Sequence, residues 1–401
     1  MNNLKRWGIA AAGVLLQIAL GAVYAWSVFR IPLAKQFHWS IAQVTLTFTI
    51  AVMALGFAAF FGGIWLKKVG PRTVAMTGGF LYGAGVFLAS FSGQGLWWLY
   101  MSYGVIGGVG LGFSYIVPIS VLVKWFPDRR GLMTGIAVGG FGAGALITAP
   151  IATRLIQQIG VLQTFAVLGI AYMIVSVIAG YFMQNPPEGW LPEGWKPVQK
   201  NQTEKKPSNF TLGDALKTWQ LWVLWLLLFL NTSAGISIIS QEAPMFQEFA
   251  GTTAIIAAGM VGIVSIGNAF GRIFWAWASD FLGRRVTFVA MFIVQIALFW
   301  ILPNFHSVTA ITLIVFFVLM CYGGGFGTMP AFVADYFGAA NVGSIYGLIL
   351  TAWGFASAFG PLLIAHLRQS SGSYSSGLHV IAMIMAASVL VPLLIKAPTR
   401  R

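Results

Sequence analysis

The chain has 401 residues, of which 58% are hydrophobic and only 8% charged, and a formal net charge of +14. That balance excludes an ordinary soluble domain and describes a protein that crosses a membrane repeatedly. The single cysteine, Cys321, excludes an internal disulfide, a cysteine metal cluster or a redox thiol pair.

Apolar segments of the length needed to span a bilayer recur at 8–30, 42–66, 73–93, 96–123, 131–156, 163–183, 221–241, 254–279, 286–303, 308–333, 343–367 and 377–395. They predict an all-α membrane protein of twelve transmembrane helices. The first segment follows Lys5 and Arg6 as a signal peptide would, but it is too long for one and is read as a retained helix. The positive charge sorts by topology rather than marking a nucleic-acid surface. With both termini cytoplasmic, 18 of the 23 Lys and Arg fall on the inner side and four, Arg30, Lys35, Arg154 and Arg368, on the outer side. Only Arg272 is left in the middle of a span.

The first span carries GAVYAWSVFRIP, with Tyr24 and Trp26 near its outer end, either as interfacial belt or as cavity wall, and with Pro32 closing it. The second ends in the basic turn WLKKVGPRTV. Five glycines in the fourth span, Gly104, Gly107, Gly108, Gly110 and Gly112, permit close helix approach before Tyr115 and Pro118. Helix on both sides of Gly110 rules out a dinucleotide fingerprint there. The fifth span opens in VKWFPDRRGLMTGIAVGGFGAG, where Asp128, Arg129 and Arg130 stand at the cytoplasmic start and Asp128 suits a helix N-terminus.

Residues 184–220 are the only long polar stretch, a cytoplasmic linker that divides the chain into 1–183, 184–220 and 221–401. Its two Pro-Glu-Gly-Trp copies, from Pro187 and from Pro192, predict turns, and 211–220 predicts a short amphipathic helix on the inner leaflet. Glu242 and Glu248 follow at the outer end of the seventh span, as solvated or gate-forming acids.

In the eighth span, GIVSIGNAFGRIFWAWASD places Arg272 deep in apolar sequence. Such a charge costs about 3 kcal/mol on insertion scales and so faces a cavity or a partner. Asn268, four residues earlier, shares its face. The pair reads as an anion clamp, against the alternatives of an arginine capping buried carbonyls or snorkelling to the surface. In the tenth span Tyr322 and Phe326 share a face beside Gly323, Gly324 and Gly325, which either line a cavity and allow bending or serve helix packing. The eleventh span carries Trp353 and no charge in its core. All nine acids and four histidines fall in loops or near helix ends, so no carboxylate relay is expected at mid-membrane. No nucleophile and base, metal cluster or cofactor motif occurs at credible spacing, so no enzyme is expected.

The two halves repeat. WLKKVGPRTV corresponds to ASDFLGRRVT with Gly70 and Gly283 offset by 213, while Phe126 and Phe337, like Pro150 and Pro361, are offset by 211. Near-constant offsets predict two six-helix bundles in parallel repeat with a binding site between them at the midplane.

These two loops resemble the repeated cytoplasmic loop of the major facilitator superfamily. The second keeps an aspartate, Asp280, where the first has Lys67. Within that superfamily, VKWFPDRRGLMTGIAVGGFGAG together with Arg272 resembles the monocarboxylate transporter family and its oxalate–formate antiporter relatives. The resemblance implies that Arg272 is the substrate arginine. Animal members of the first group have an aspartate where Asn268 stands and a lysine where Val28 stands, and the antiporters have a second basic residue where Trp353 stands. One cation without a second favours a substrate of one negative charge.

The expected function is therefore alternating-access transport of a small monocarboxylate such as L-lactate or pyruvate with a proton, in a prokaryotic cytoplasmic membrane, by a monomer with no nucleic-acid partner and no cofactor. Arg272, Asn268, Tyr115, Tyr322, Phe326, Val28 and Trp353 form the expected substrate site, and Asp280, Arg129, Arg130 and Asp128 the cytoplasmic gate, in which Asp280 is expected to pair with Arg129 and Arg130 across the inner ends of the two bundles. An oxalate or formate exchanger is the alternative within transport, and a membrane sensor or receptor is the alternative of another class.

Overall fold

The computed structural model of the chain describes residues 3–192 and 209–398. Six long helices precede the linker: α1 (Lys5–Phe37), α2 (Ile41–Val69), α3 (Pro71–Gln94), α4 (Leu96–Trp125), α5 (Arg130–Ile159) and α6 (Val161–Tyr181). Six follow it: α7 (Trp219–Ala250), α8 (Ala254–Leu282), α9 (Arg284–Asn304), α10 (Val308–Phe337), α11 (Val342–Ser371) and α12 (Tyr374–Leu394). By length and composition eleven described helices are apolar enough to span a membrane, and α8, 29 residues long and holding Asn268, Arg272 and Asp280, is the twelfth.

Several helices run to about 30 residues, or about 45 Å, and so project beyond a hydrocarbon layer of about 30 Å. Two predicted boundaries move for this reason. Pro32 does not close the first helix, which continues to Phe37 and ends at His38 in the left-handed region (φ 57°). Neighbouring helices cover the backbone groups that a membrane proline frees, so it need not end the span. Likewise α7 runs past residue 241, which puts Glu242 inside the helix and buries it. Glu248, two turns on, accepts hydrogen bonds from Arg368 Nε (2.8 Å), Ser373 Oγ (3.1 Å) and the Tyr374 N–H (3.0 Å). In this conformation it fastens α7 to the α11–α12 turn within one half of the molecule.

The pairing of helices repeats as the offsets predict. In the first half α1 packs on α5, α2 on α4 and α3 on α6; in the second α7 packs on α11, α8 on α10 and α9 on α12. The halves meet through α2 against α11 and through α5 against α8, two contacts that exchange under the same repeat. Gly70 (φ 85°) and Gly283 (φ 84°) take the same left-handed turn after α2 and α8. A side chain there would be strained, which accounts for glycine in both loops.

The first and last described helices begin and end on one face. Arg6 pairs with Asp128 ahead of α5 at 3.3 Å, and Arg285, at the start of α9, donates to the Pro392 and Leu393 carbonyls. The Lys and Arg of the loops cluster on this face, which the positive-inside rule assigns to the cytoplasm. Of the linker, Pro187–Trp190 forms the predicted turn, with Trp190 set against Trp125 at 4.7 Å. A short helix, Leu212–Leu216, is capped by Thr211, and the Phe210 N–H donates to the Phe337 carbonyl, so this segment lies on the second bundle. The second predicted turn and the basic run from Lys196 to Lys206 lie outside the described residues, as do Arg400 and Arg401.

Candidate functional site around Arg272

Arg272 is 1% exposed, near the middle of α8 where that helix crosses α5. Close approach makes the crossing possible. A Cβ on Gly142 of α5 would stand 3.3 Å from Arg272 Nε, and one on Gly323 of α10 would stand 2.9 Å from Asn268 Oδ1 and 3.1 Å from Arg272 Cγ. Gly323 and Gly327 thus serve close packing of α10 on α8 in this conformation, whereas Gly325 approaches Asn231 of α7.

Three of the five guanidinium N–H groups are engaged. Arg272 Nε donates to Asn268 Oδ1, Nη1 to the Val138 carbonyl of α5 and Nη2 to Tyr24 Oη of α1, each at 3.2 Å. One N–H on each terminal nitrogen remains. The rings of Phe326, Phe141 and Tyr24 lie 4.9, 5.6 and 5.9 Å from the guanidinium carbon, so aromatic faces replace water around the charge.

The box is closed by aromatics from both halves. Tyr24 and Tyr115 contact Phe141 at 5.2 and 5.0 Å, and Phe326 contacts Tyr322 at 5.3 Å and Trp353 at 5.0 Å. Tyr346 of α11 joins from beside Tyr115. The hydroxyls of Tyr115, Tyr322 and Tyr346 and the indole N–H of Trp353 are buried, with Tyr115 within side-chain hydrogen-bonding reach of Arg272 and Tyr346, and Tyr322 of Tyr24 and Trp353, though none of the four makes a well-aligned bond among the described residues. Buried polar groups are ordinarily paired, and here they gather into one polar cluster beside the arginine.

The expected residues are therefore mostly together. Arg272, Asn268, Tyr115, Tyr322, Phe326 and Trp353 belong to one box, although the side-chain atoms that accept well-aligned hydrogen bonds from Arg272 are those of Asn268 and Tyr24, with Tyr115 within reach of the guanidinium. Val28 is half-buried one turn beyond Tyr24. Tyr24, Phe141, Tyr346 and the Val138 carbonyl were not among the expected site residues. Tyr24 carried a signal in its cavity-wall alternative, whereas a backbone carbonyl has none in sequence.

At the basic face the pairings differ from expectation. Asp280 does not pair with Arg129 or Arg130. Its carboxylate accepts from the Gly131 and Leu132 N–H groups at 3.0 Å each and pairs with Arg284 at 2.8 Å. It thereby caps the start of α5 from the other bundle, the place expected for Asp128, which instead pairs with Arg6. Helix N-termini favour anions through both their free N–H groups and their dipole, whichever chain segment supplies the anion. Arg130 crosses the interface to Asp335 of α10 at 3.2 Å, and Arg284 holds the same carboxylate at 2.9 Å. Arg129, largely exposed, reaches only Asp128 of its own loop, at 3.9 Å. Gly63 packs on the Gly343 carbonyl and Gly347 on that of Ala59, so the two bundles are closed together on the basic side of Arg272.

The chain is 29% identical over 88% of its length to the uncharacterized transporter YhjX of Escherichia coli K12, covering 86% of that protein. It is 28% identical over 92% to the oxalate:formate antiporter of Oxalobacter formigenes (86% covered) and 26% identical over 94% to monocarboxylate transporter 2 of Rattus norvegicus (81% covered). Among solved structures it is similar to the E. coli fucose:proton symporter FucP, with a TM-score of 0.72 at 15% identity over 96% of this chain and 97% of that one. The Major Facilitator Superfamily model matches residues 10–361 and 257–401. The chain is a multi-pass membrane transporter that belongs to the major facilitator superfamily.

Proposed function

We propose that this transporter carries a small monocarboxylate, such as L-lactate or pyruvate, across a prokaryotic cytoplasmic membrane together with a proton, with Arg272 as the carboxylate clamp. The observation that carries the reading is the Arg272 box: one buried guanidinium with an N–H on each terminal nitrogen outside its three well-aligned hydrogen bonds, set among the buried phenols of Tyr115, Tyr322 and Tyr346. A carboxylate presents two oxygens to such a pair of donors, and planar guanidinium geometry favours that fork. The phenols Tyr115, Tyr322 and Tyr346 suit a second oxygen on the neighbouring carbon, and Phe326, Trp353 and Val28 supply apolar wall for a methyl-sized group.

Charge matching favours a single negative charge. Arg272 is the one cation in the box among the described residues, and Trp353 of α11 adds none. A dianion such as oxalate would bury an unmatched charge. The exchanger reading draws on the similarity to the oxalate:formate antiporter of Oxalobacter formigenes, and proton coupling is what separates the two.

Uptake of labelled L-lactate into proteoliposomes tests the proposal. Accumulation driven by an acid-outside pH gradient and abolished by a protonophore is expected. Accumulation indifferent to both, but dependent on internal oxalate or formate, would replace symport by exchange, and absence of carboxylate transport of any kind would leave a sensor.

A further inference from the structure

The cytoplasmic interface holds a second polar seat, and its charge is inverted. Asp280 and Asp335 in the second half correspond, at the repeat offsets of 213 and 211, to Lys67 and Lys124 in the first. The amides that Asp280 caps, Gly131 and Leu132, correspond to Val342 and Gly343 at the start of α11. Where the first seat is filled by a carboxylate, the second presents two ammonium groups to a helix N-terminus.

The surroundings are those of an anion site. A cavity of about 140 Å³ opens here, lined by Lys67 of α2, Lys124 and Ser120 of α4, and Asn341, Gly343 and Ser344 of α11. No acidic side chain is among its walls. Asn341 makes no side-chain cap for α11, and its amide nitrogen donates to the Phe210 carbonyl. Lys124 spends one donor on Asn185 Oδ1 at 3.2 Å and keeps two. What such a seat binds is shown by its counterpart across the pseudo-two-fold, where two amides at the start of a long helix hold a carboxylate between the bundles.

We infer that Lys67, Lys124 and the first turn of α11 bind a phosphate-class oxyanion, which takes at this interface the place that Asp280 takes at the other. Lysine is a point-charge phosphate binder and a helix N-terminus supplies directed amides. The volume accommodates a small oxyanion with water. Because α2 and α4 belong to one bundle and α11 to the other, the seat is complete only while the basic face is closed. The bound anion therefore stabilises the state open to the opposite side, by its differential affinity for that state. The inference does not depend on which substrate occupies the Arg272 box.

The source of the phosphate group is either the free ion or an anionic lipid headgroup, and one experiment distinguishes them. Full-length protein carrying spin labels at Lys68→Cys and Leu394→Cys, with the native Cys321 buried, reports the separation of the bundles at the basic face. In neutral phosphatidylcholine nanodiscs, inorganic phosphate is compared with gluconate at matched ionic strength. In a second arm, without phosphate, part of the lipid is replaced by phosphatidylglycerol. For a ligand that binds only the closed state, the closed-to-open ratio rises about a hundredfold at about a hundred times Kd. A rise with phosphate identifies the free ion, and a rise only with phosphatidylglycerol identifies the headgroup. Lys67→Gln and Lys124→Gln each abolish the response, while Lys67→Asp closes the face without added anion. If neither arm moves the distance, or if the Gln variants respond as the parent does, the site is refuted.

Discussion

At the scale of single residues, the burial of Arg272 decides what its substitutions do. Its hydrogen bonds to Asn268, Val138 and Tyr24 fix the plane of the guanidinium, so the two remaining N–H groups are pre-aimed. Arg272→Lys keeps the charge and loses the fork, and uptake is expected to fall at least about tenfold in kcat/KM despite normal insertion; parent-like uptake would remove the clamp. Tyr24→Phe deletes the acceptor on α1 while keeping the ring. Loss of a hydrogen bond to a charged group costs about 1.5–3 kcal/mol, so a tenfold or larger loss of substrate affinity is expected, measurable by equilibrium binding. Asn268→Asp places a carboxylate beside the Arg272 Nε donor and is expected to alter the pH dependence of uptake without abolishing binding. Of these positions, Arg272 and Asn268 were legible in sequence, because a charge inside an apolar segment and its i+4 neighbour need no tertiary knowledge. Tyr24 was ambiguous for a physical reason. Its side chain leaves a 3₁₀ segment, and a reading at 3.6 residues per turn does not settle which way it is aimed.

That segment, Gly21–Trp26, interrupts α1 at the level of the box. Mid-helix 3₁₀ turns often mark hinges, and this one carries Tyr24 against Arg272 of the opposite bundle. Its first residue is fixed by packing: a Cβ on Gly21 would run into the Phe141 carbonyl of α5. Backbone atoms give way poorly, so Gly21→Ala is expected to cost about 1–3 kcal/mol as overpacking does, lowering Tm in detergent and disturbing the box through Phe141. Gly262→Ala in α8 is the contrast, since nothing lies within 4 Å of its Cβ, and there alanine is expected to be neutral or slightly stabilising through helix propensity. Equal Tm values for the two variants would contradict the close approach. Sequence could indicate that glycines permit tight crossings but not which of the 48 do so, because that depends on which helix lies opposite.

Across the whole molecule, the repeat was the most legible feature, since an offset near 212 survives without any structural knowledge, and it predicts which loops correspond and that α2 with α11 mirrors α8 with α5. It does not tell which carboxylate meets which arginine, because that depends on how the bundles tilt together. Asp280 was expected to meet Arg129 and Arg130, and the closed interface gives it the α5 amides instead while Asp335 takes Arg130. The last prediction follows from this difference. Asp280→Asn keeps one acceptor oxygen but loses the charge at the helix start and the pair with Arg284. Such terms amount to about 1 kcal/mol, hence a shift of about fivefold toward the face-open state rather than unfolding. Asp280→Ala, which removes both acceptors, is expected to shift it further, and Arg129→Gln hardly at all, because that side chain is exposed and its pair stays within one bundle. Thr134 lies buried beneath this gate, its Oγ1 2.9 Å from the Arg130 carbonyl of its own helix and 3.1 Å from the Gly327 carbonyl across the interface. With Cys321 replaced by alanine, the rate at which a water-soluble maleimide reaches Thr134→Cys from the basic side reads the opening directly. Expected rates rise in the order parent, Asp280→Asn, Asp280→Ala, with Arg129→Gln at the parent value. An Arg129→Gln variant as reactive as Asp280→Ala would return the gate to the arginines of the α4–α5 loop.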